Sequence, residues 1–198
     1  VGGTSWIDRQ GCIDYDQEGV LYIRSPQMTE KTQSLKELML KIPKAWRVIL
    51  IGHRKSLLRS TAKELELTLY LDIKEDAKGV DRLEYSKLKK TKKLAITWHS
   101  LFKLANSRFI KDFSIPTFNV VIFDESEQVF SDFYNADKTL SHAEKVFVDK
   151  CLSTQVRYSD LTVCLDADIS DITRQAMKDY KSGREFLYLN NFPIFRGY

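Results

Sequence analysis

Cysteine and histidine are scarce in this chain of 198 residues, three of each, and neither is clustered. Cys12, Cys151 and Cys164 are odd in number and far apart, with no CxxC spacing. That excludes a disulfide framework and a thiolate zinc site, and the three read as reduced thiols. His53, His99 and His142 are equally dispersed, so a metal cluster built from protein ligands is not expected. No apolar run is long enough to span a bilayer, and the start shows no basic-then-apolar leader pattern. The expectation is a soluble intracellular protein with no membrane partner. Glycine and proline are also sparse, eight and four residues, and no low-complexity linker or internal repeat divides the chain.

What remains is an ordinary globular composition, 43% hydrophobic and 29% charged, enough for one domain with a sizeable core. Net charge is +4 and the pI near 8.8, which permits nucleic-acid contact without demanding it. Lys87, Lys89, Lys90, Lys92 and Lys93 crowd the end of a charged stretch over 74–93. That stretch reads either as a solvated helix or loop, or as a footprint for a phosphate backbone.

The most informative segment is Phe118-Asn119-Val120-Val121-Ile122-Phe123-Asp124-Glu125-Ser126-Glu127. Its apolar run suits a central strand buried on both faces of a parallel sheet. A pair of carboxylates cannot stay in the core, so Asp124 and Glu125 belong at the carboxyl edge of the sheet, where open α/β folds hold ligands. A nucleoside triphosphatase needs two such acids, one for Mg²⁺ and one to orient the attacking water. The same residues also fit a plain buried strand followed by a capped helix with acids in its first turn.

Other strands are expected at 20–24, 46–51, 67–73, 94–98, 161–165 and 185–189, with helices at 33–42, after Ser56, over 137–153 and after Ser170 or Asp171. Between the first strand and its helix lies Ser25-Pro26-Gln27-Met28-Thr29-Glu30-Lys31-Thr32. Strand, loop, Lys-Thr and helix is the layout of a phosphate-binding loop. Yet Ser25 and Glu30 stand where the pattern GxxxxGK[ST] has glycine, and the Glu30 carboxylate would repel a phosphate by on the order of ~4 kcal/mol at close range. The shortage of glycine is therefore felt at the one loop that most needs it.

Five motifs follow in order at the predicted strand ends: Ser25-Pro26 through Lys31-Thr32, then Gly52-His53-Arg54-Lys55-Ser56-Leu57, then Thr97-Trp98-His99-Ser100-Leu101, then Ile122-Phe123-Asp124-Glu125, then Leu165-Asp166-Ala167-Asp168. Together they resemble the first RecA-like domain of a superfamily-two helicase of DEAD/DEAH type. They are most similar to the viral, phage and plasmid replication helicases that include the herpesvirus origin-binding protein. The resemblance spans about 19–189 and implies an α/β RecA-like P-loop NTPase domain over 19–198, with a mostly parallel sheet and helices on both faces. Residues 1–18 would form an N-terminal extension, and the second RecA-like domain would lie outside these 198 residues.

By position, the resemblance implies that Ser25, Gln27, Met28, Thr29, Glu30, Lys31 and Thr32 line the phosphates of ATP. Lys31 would reach the outer phosphates, and Thr32 and Asp124 would hold Mg²⁺. Glu125 would polarise water. Arg54 and Lys55, with His99 and Ser100, would touch a nucleic-acid strand, and Asp166 and Asp168 would couple hydrolysis to movement. The implied partners are single-stranded or duplex DNA, with RNA left open, the second RecA-like domain and other replication proteins. Met28 and Glu30 depart from the glycines of the related loops. A helicase-like domain with impaired ATP binding, serving as a DNA-binding or protein-docking module, is the alternative. An unrelated doubly wound protein with coincidental caps is a third.

Overall fold

The computed structural model describes residues 19–24, 31–77, 81–105, 113–136, 140–183 and 185–189, without the side chains of 31, 74–85 and 186–189. Seven strands form one sheet: β1 (Gly19–Arg24), β2 (Val48–Gly52), β3 (Thr68–Leu69), β4 (Lys93–Thr97), β5 (Val120–Asp124), β6 (Leu161–Asp166) and β7 (Glu185–Leu189). Their order is β3-β4-β2-β5-β6-β1-β7, and every pairing is parallel. Val120, Val121, Ile122 and Phe123 are wholly buried, as are Val48 to Ile51 on one neighbour and Leu161, Val163 and Cys164 on the other. The uninterrupted apolar runs are thus explained: each central strand is covered on both faces.

The helices are α1 (Lys31–Lys41), α2 (Lys55–Glu64), α3 (Tyr70–Ala77), α4 (Asp81–Lys90), α5 (Ser126–Tyr134), α6 (His142–Arg157) and α7 (Asp171–Tyr180), with a 3₁₀ helix at Trp98–Leu104. Right-handed crossovers that run toward β3 place α1 and α2 on one face, where they touch each other. Connections that run back toward β7 place α4, the 3₁₀ helix, α5, α6 and α7 on the other face, again in mutual contact. The direction changes between β2 and β5. These adjacent strands send their chains opposite ways, and such a switch point leaves a crevice at their carboxyl ends.

Two elements differ from the sequence expectation. The strand expected over 67–73 is only Thr68–Leu69, and Tyr70 opens α3 instead. The reason is a change of period: Leu67 and Leu69 alternate inward, but Tyr70 and Ile73 are buried at helical spacing. Of the helix expected over 137–153, residues 137–139 lie outside the described residues, and α6 begins at His142, where Ser141 and Glu144 close a capping box on each other's backbone N–H groups. Cys151 and Cys164 are free and buried, and burial pushes the Cys151 thiol up to about 12 and Cys164 higher still. Both are inert at neutral pH. No described helix is long and apolar enough to cross a membrane.

Candidate nucleotide and nucleic-acid site

The carboxyl ends of β2, β4, β5 and β6 and the start of α1 gather most of the residues singled out in the sequence. Asp124 is the last residue of β5, and its Oδ2 accepts from the Thr61 hydroxyl of α2 at 3.0 Å. Thr32 is the second residue of α1, the helix that leaves β1. Lys31 opens that helix, while Ser25, Gln27, Met28, Thr29 and Glu30 lie outside the described residues. Arg54 is the exposed N-terminal cap of α2, and Lys55 is its first residue. His99 and Ser100 sit in the 3₁₀ helix beyond β4, with Ser100 Oγ accepting from Thr97 at 3.1 Å. Asp166 ends β6 and Asp168 follows it.

Glu125 caps α5 in the left-handed conformation, at φ 57° and ψ 55°. Glu66 shares this unusual backbone, but there it closes the end of α2, where Leu67 N–H reaches back to Ala62 O at 2.8 Å. A left-handed residue is ordinary at a helix C-terminus. At a helix start it is not, and for a residue with a Cβ it costs on the order of ~1–2 kcal/mol. The Glu125 side chain lines the crevice at the carboxyl ends of the strands, beside His53. There its Oε2 stands 3.8 Å from His53 Nδ1, while His53 Nε2 contacts Asp132 Oδ2 of α5 at 2.7 Å. His53 Nδ1 is buried and has no hydrogen-bond partner, so it faces the Glu125 carboxylate without donating to it.

A second network ties α5 to the end of β6. Asp166 Oδ2 accepts from the backbone N–H of Glu127 at 2.8 Å, and Asp166 Oδ1 accepts from the N–H of Asp168 at 3.1 Å. The Glu127 carboxylate accepts from the N–H of Ser170 at 3.1 Å, from the Thr173 hydroxyl at 2.8 Å and from the Ser170 hydroxyl. Ser170 in turn caps α7 by accepting from Ile172 N–H. Arg24, at the end of β1, pairs with Asp168 at 3.1 Å across an exposed surface. The crevice encloses about 400 Å³ and is lined by His53, Arg54, Glu125, Glu127, Asp166 and Asp168, among others. Of its four carboxylates, Glu127, Asp166 and Asp168 are already engaged within the protein, which leaves Glu125 facing the crevice with its negative charge and disfavours bare phosphates there. Among the described residues no three His, Cys, Asp or Glu side chains are arranged to hold a metal alone.

Sequence reasoning missed His53, Glu127, Asp132, Thr61 and Thr173 as members of the site. His53 and Glu127 stood inside quoted motifs, but their partners lie on other elements, and no local spacing announces them. His99 is stacked on Trp98 with ring centroids 3.4 Å apart. Desolvation lowers its pKa, helped by His53 and Lys55 and opposed by Asp132. At His99 the folded chain therefore holds fewer protons than the unfolded chain near pH 6.5, and that residue's contribution to stability falls as pH drops through that region. We expect His99→Gln to flatten this slope, read as the urea midpoint between about pH 7 and pH 5.

No protein family matches the chain, and a search of curated proteins returns no relative. Among solved structures the chain is similar to Mss116p (NTE and C-tail double deletion) bound to ssRNA and AMP-PNP, at 12% identity and a TM-score of 0.51. The likeness covers 87% of this chain and 36% of that one. This chain thus corresponds to about a third of the neighbour's length. Together with the parallel topology, the likeness shows an α/β RecA-like fold.

Proposed function

We propose that this chain is the first RecA-like domain of a nucleic-acid-dependent ATPase of helicase type, acting on DNA in replication. The observation that carries the reading is Glu125. It is held in a strained backbone at the switch point, beside the acid that ends β5 and facing His53. Residues 25–30 link β1 to α1 in the sequence, so their backbone N–H groups and Lys31 would carry the phosphates at that helix start. Thr32 and Asp124 fit Mg²⁺, which is held through one or two side chains plus the phosphates, with waters completing its shell. Bound there, Mg²⁺ would neutralise charge on the phosphates. Glu125 would orient the attacking water, with Asp132 fixing His53 behind it.

Arg54, Lys55, His99 and Ser100 share the carboxyl edge and suit contact with a strand's phosphates. The structural neighbour holds ssRNA and AMP-PNP, which supports both ligand classes here. Asp166 and Glu127 supply a physical coupling. Glu127 lies two residues beyond the water-orienting acid, and it grips the start of α7 through Ser170 and Thr173. A shift at Glu125 would pass directly into the β6–α7 corner. The replication role rests on the motif order shared with the origin-binding type. Glu30 favours a second reading, a helicase-like domain that binds nucleic acid without using ATP.

The two readings separate in a linkage measurement. Under the first, Mg²⁺–AMP-PNP and a single-stranded oligonucleotide raise each other's affinity by the same factor, about 5-fold or more. Oligonucleotide binding that ignores Mg²⁺–AMP-PNP at every concentration supports the second.

A further inference from the structure

The amino edge of the sheet, opposite the nucleotide site, has its own groove. It encloses about 470 Å³ between the segment 113–117 that leads into β5 and the last two turns of α6. Lys150, Ser153, Thr154 and Arg157 line it from α6 at positions i, i+3, i+4 and i+7, one face of a helix. Phe113 and Tyr158 supply its aromatic walls. Phe113 is fixed edge-on against Phe147 at 5.5 Å, with Lys150 Nζ 4.7 Å from its ring centre. Tyr158 is 65% exposed. Among the described residues no carboxylate lines this groove, whereas four line the crevice at the other edge.

Arg47 ties the segment that forms one wall of the groove to the end of the lysine cluster. Arg47 donates to Thr117 O at 3.0 Å on the groove side and to Lys89 O and Thr91 O at 2.9 and 3.1 Å on the other. Its guanidinium lies over Phe118 at 4.3 Å, and it locks the segments before β5 and β4 together. The starts of β4, β2, β5 and β6 are in register, Lys93 beside Val48, Val48 beside Val120 and Val120 beside Leu161. Lys92 and Lys93 are exposed at one end of that row, and Arg157 at the other. Three strand spacings, about 15 Å, separate the two ends.

We propose that this amino edge is a second binding surface for single-stranded nucleic acid, distinct from the strand path at Arg54, Lys55, His99 and Ser100. Cations that follow a backbone, interleaved with aromatic rings on which bases stack, are what an unpaired strand requires. An acidic protein segment would use the lysines and arginine but has no bases to stack on Phe113 or Tyr158. A β-strand of five residues is about 17 Å long, so a short oligonucleotide occupies one edge or the other.

The test is fluorescence anisotropy of a labelled short oligothymidylate with Arg54→Ala/Lys55→Ala, which silences the other edge, and with Lys150→Glu/Arg157→Glu, Lys150→Gln/Arg157→Gln and Tyr158→Ala each made in that background. Circular dichroism melts establish that each variant is folded. We expect both Lys150/Arg157 variants to bind about 10-fold or more weakly, with the salt slope shallower by about 1.4 for two lost phosphate contacts. Tyr158→Ala is expected to lose about 5-fold or more at unchanged salt slope. Mg²⁺–ADP binding, measured separately, stays as it is in the native chain, so failure here and failure of the nucleotide-site reading are distinguishable. Folded Lys150/Arg157 variants that bind as tightly as the Arg54→Ala/Lys55→Ala background overturn the proposal, as does a background that no longer binds the oligonucleotide at all. Equal binding of labelled polyglutamate, weakened by the same two substitutions but not by Tyr158→Ala, also overturns it in favour of an acidic protein partner.

Discussion

Glu125→Gln is expected to lower single-strand-stimulated ATP hydrolysis by the full-length protein by about 10²- to 10⁴-fold, the range for losing a positioned base. Nucleotide affinity should stay within a factor of about two, because in the proposed arrangement Glu125 would face the attacking water rather than the phosphates. The substitution keeps the side chain's shape, so the left-handed cap of α5 is retained. Glu125 stands 3.8 Å from His53, which Asp132 holds from the other side. Removing the Glu125 charge leaves that imidazole paired with Asp132 alone. Turnover that survives Glu125→Gln at native speed would assign water activation to another group and leave the backbone strain without a purpose.

Phe123→Ala is expected to destabilise the fold by about 3–5 kcal/mol, a large part of a typical domain's stability. Phe123 is wholly buried in β5. Its ring lies 5.1 Å from Phe130 of α5, which in turn lies 6.4 Å from Tyr180 of α7. The same aromatic row packs both site helices onto the sheet, one residue before Asp124. Truncation opens a cavity there that rigid neighbours on two sides cannot fill. A urea titration reads the loss as a lower midpoint at unchanged slope. A shift under about 1 kcal/mol would mean that the row repacks freely and does not set the position of α5.

The central strands were legible because a parallel sheet covered on both faces demands unbroken apolar runs, and Val120–Phe123 and Val48–Ile51 are such runs. Their carboxylate and basic ends were legible for the complementary reason, since charge must leave the core at the strand ends. The edge strand was overextended because Leu67 and Leu69 alternate like a strand before Tyr70 changes the period. The wiring of the site was hidden. His53 meets Asp132, Asp124 meets Thr61, and Glu127 meets Ser170 and Thr173 across separate elements, so only the folded topology brings them together. Ser170 was readable as a helix cap but not as the partner of Glu127. The lysine cluster at 87–93 was visible as charge, while its neighbour groove appears only when α6 is packed beside 113–117.

The most direct measurement is calorimetric titration of the chain with Mg²⁺–ADP, beside Lys31→Ala and Glu30→Gly. A lysine donating to a phosphate contributes about 1.5–3 kcal/mol, so Lys31→Ala should weaken binding by about 10- to 150-fold. Glu30→Gly should tighten it, by replacing a carboxylate with the glycine that the phosphate-loop pattern has at that position. Measurable binding by the native chain, weakened in Lys31→Ala and strengthened in Glu30→Gly, is the result expected of a nucleotide site at the β1–α1 loop. Heat traces that stay flat for the native chain and for Glu30→Gly alike would contradict it, leaving a RecA-like fold whose loop does not hold phosphate.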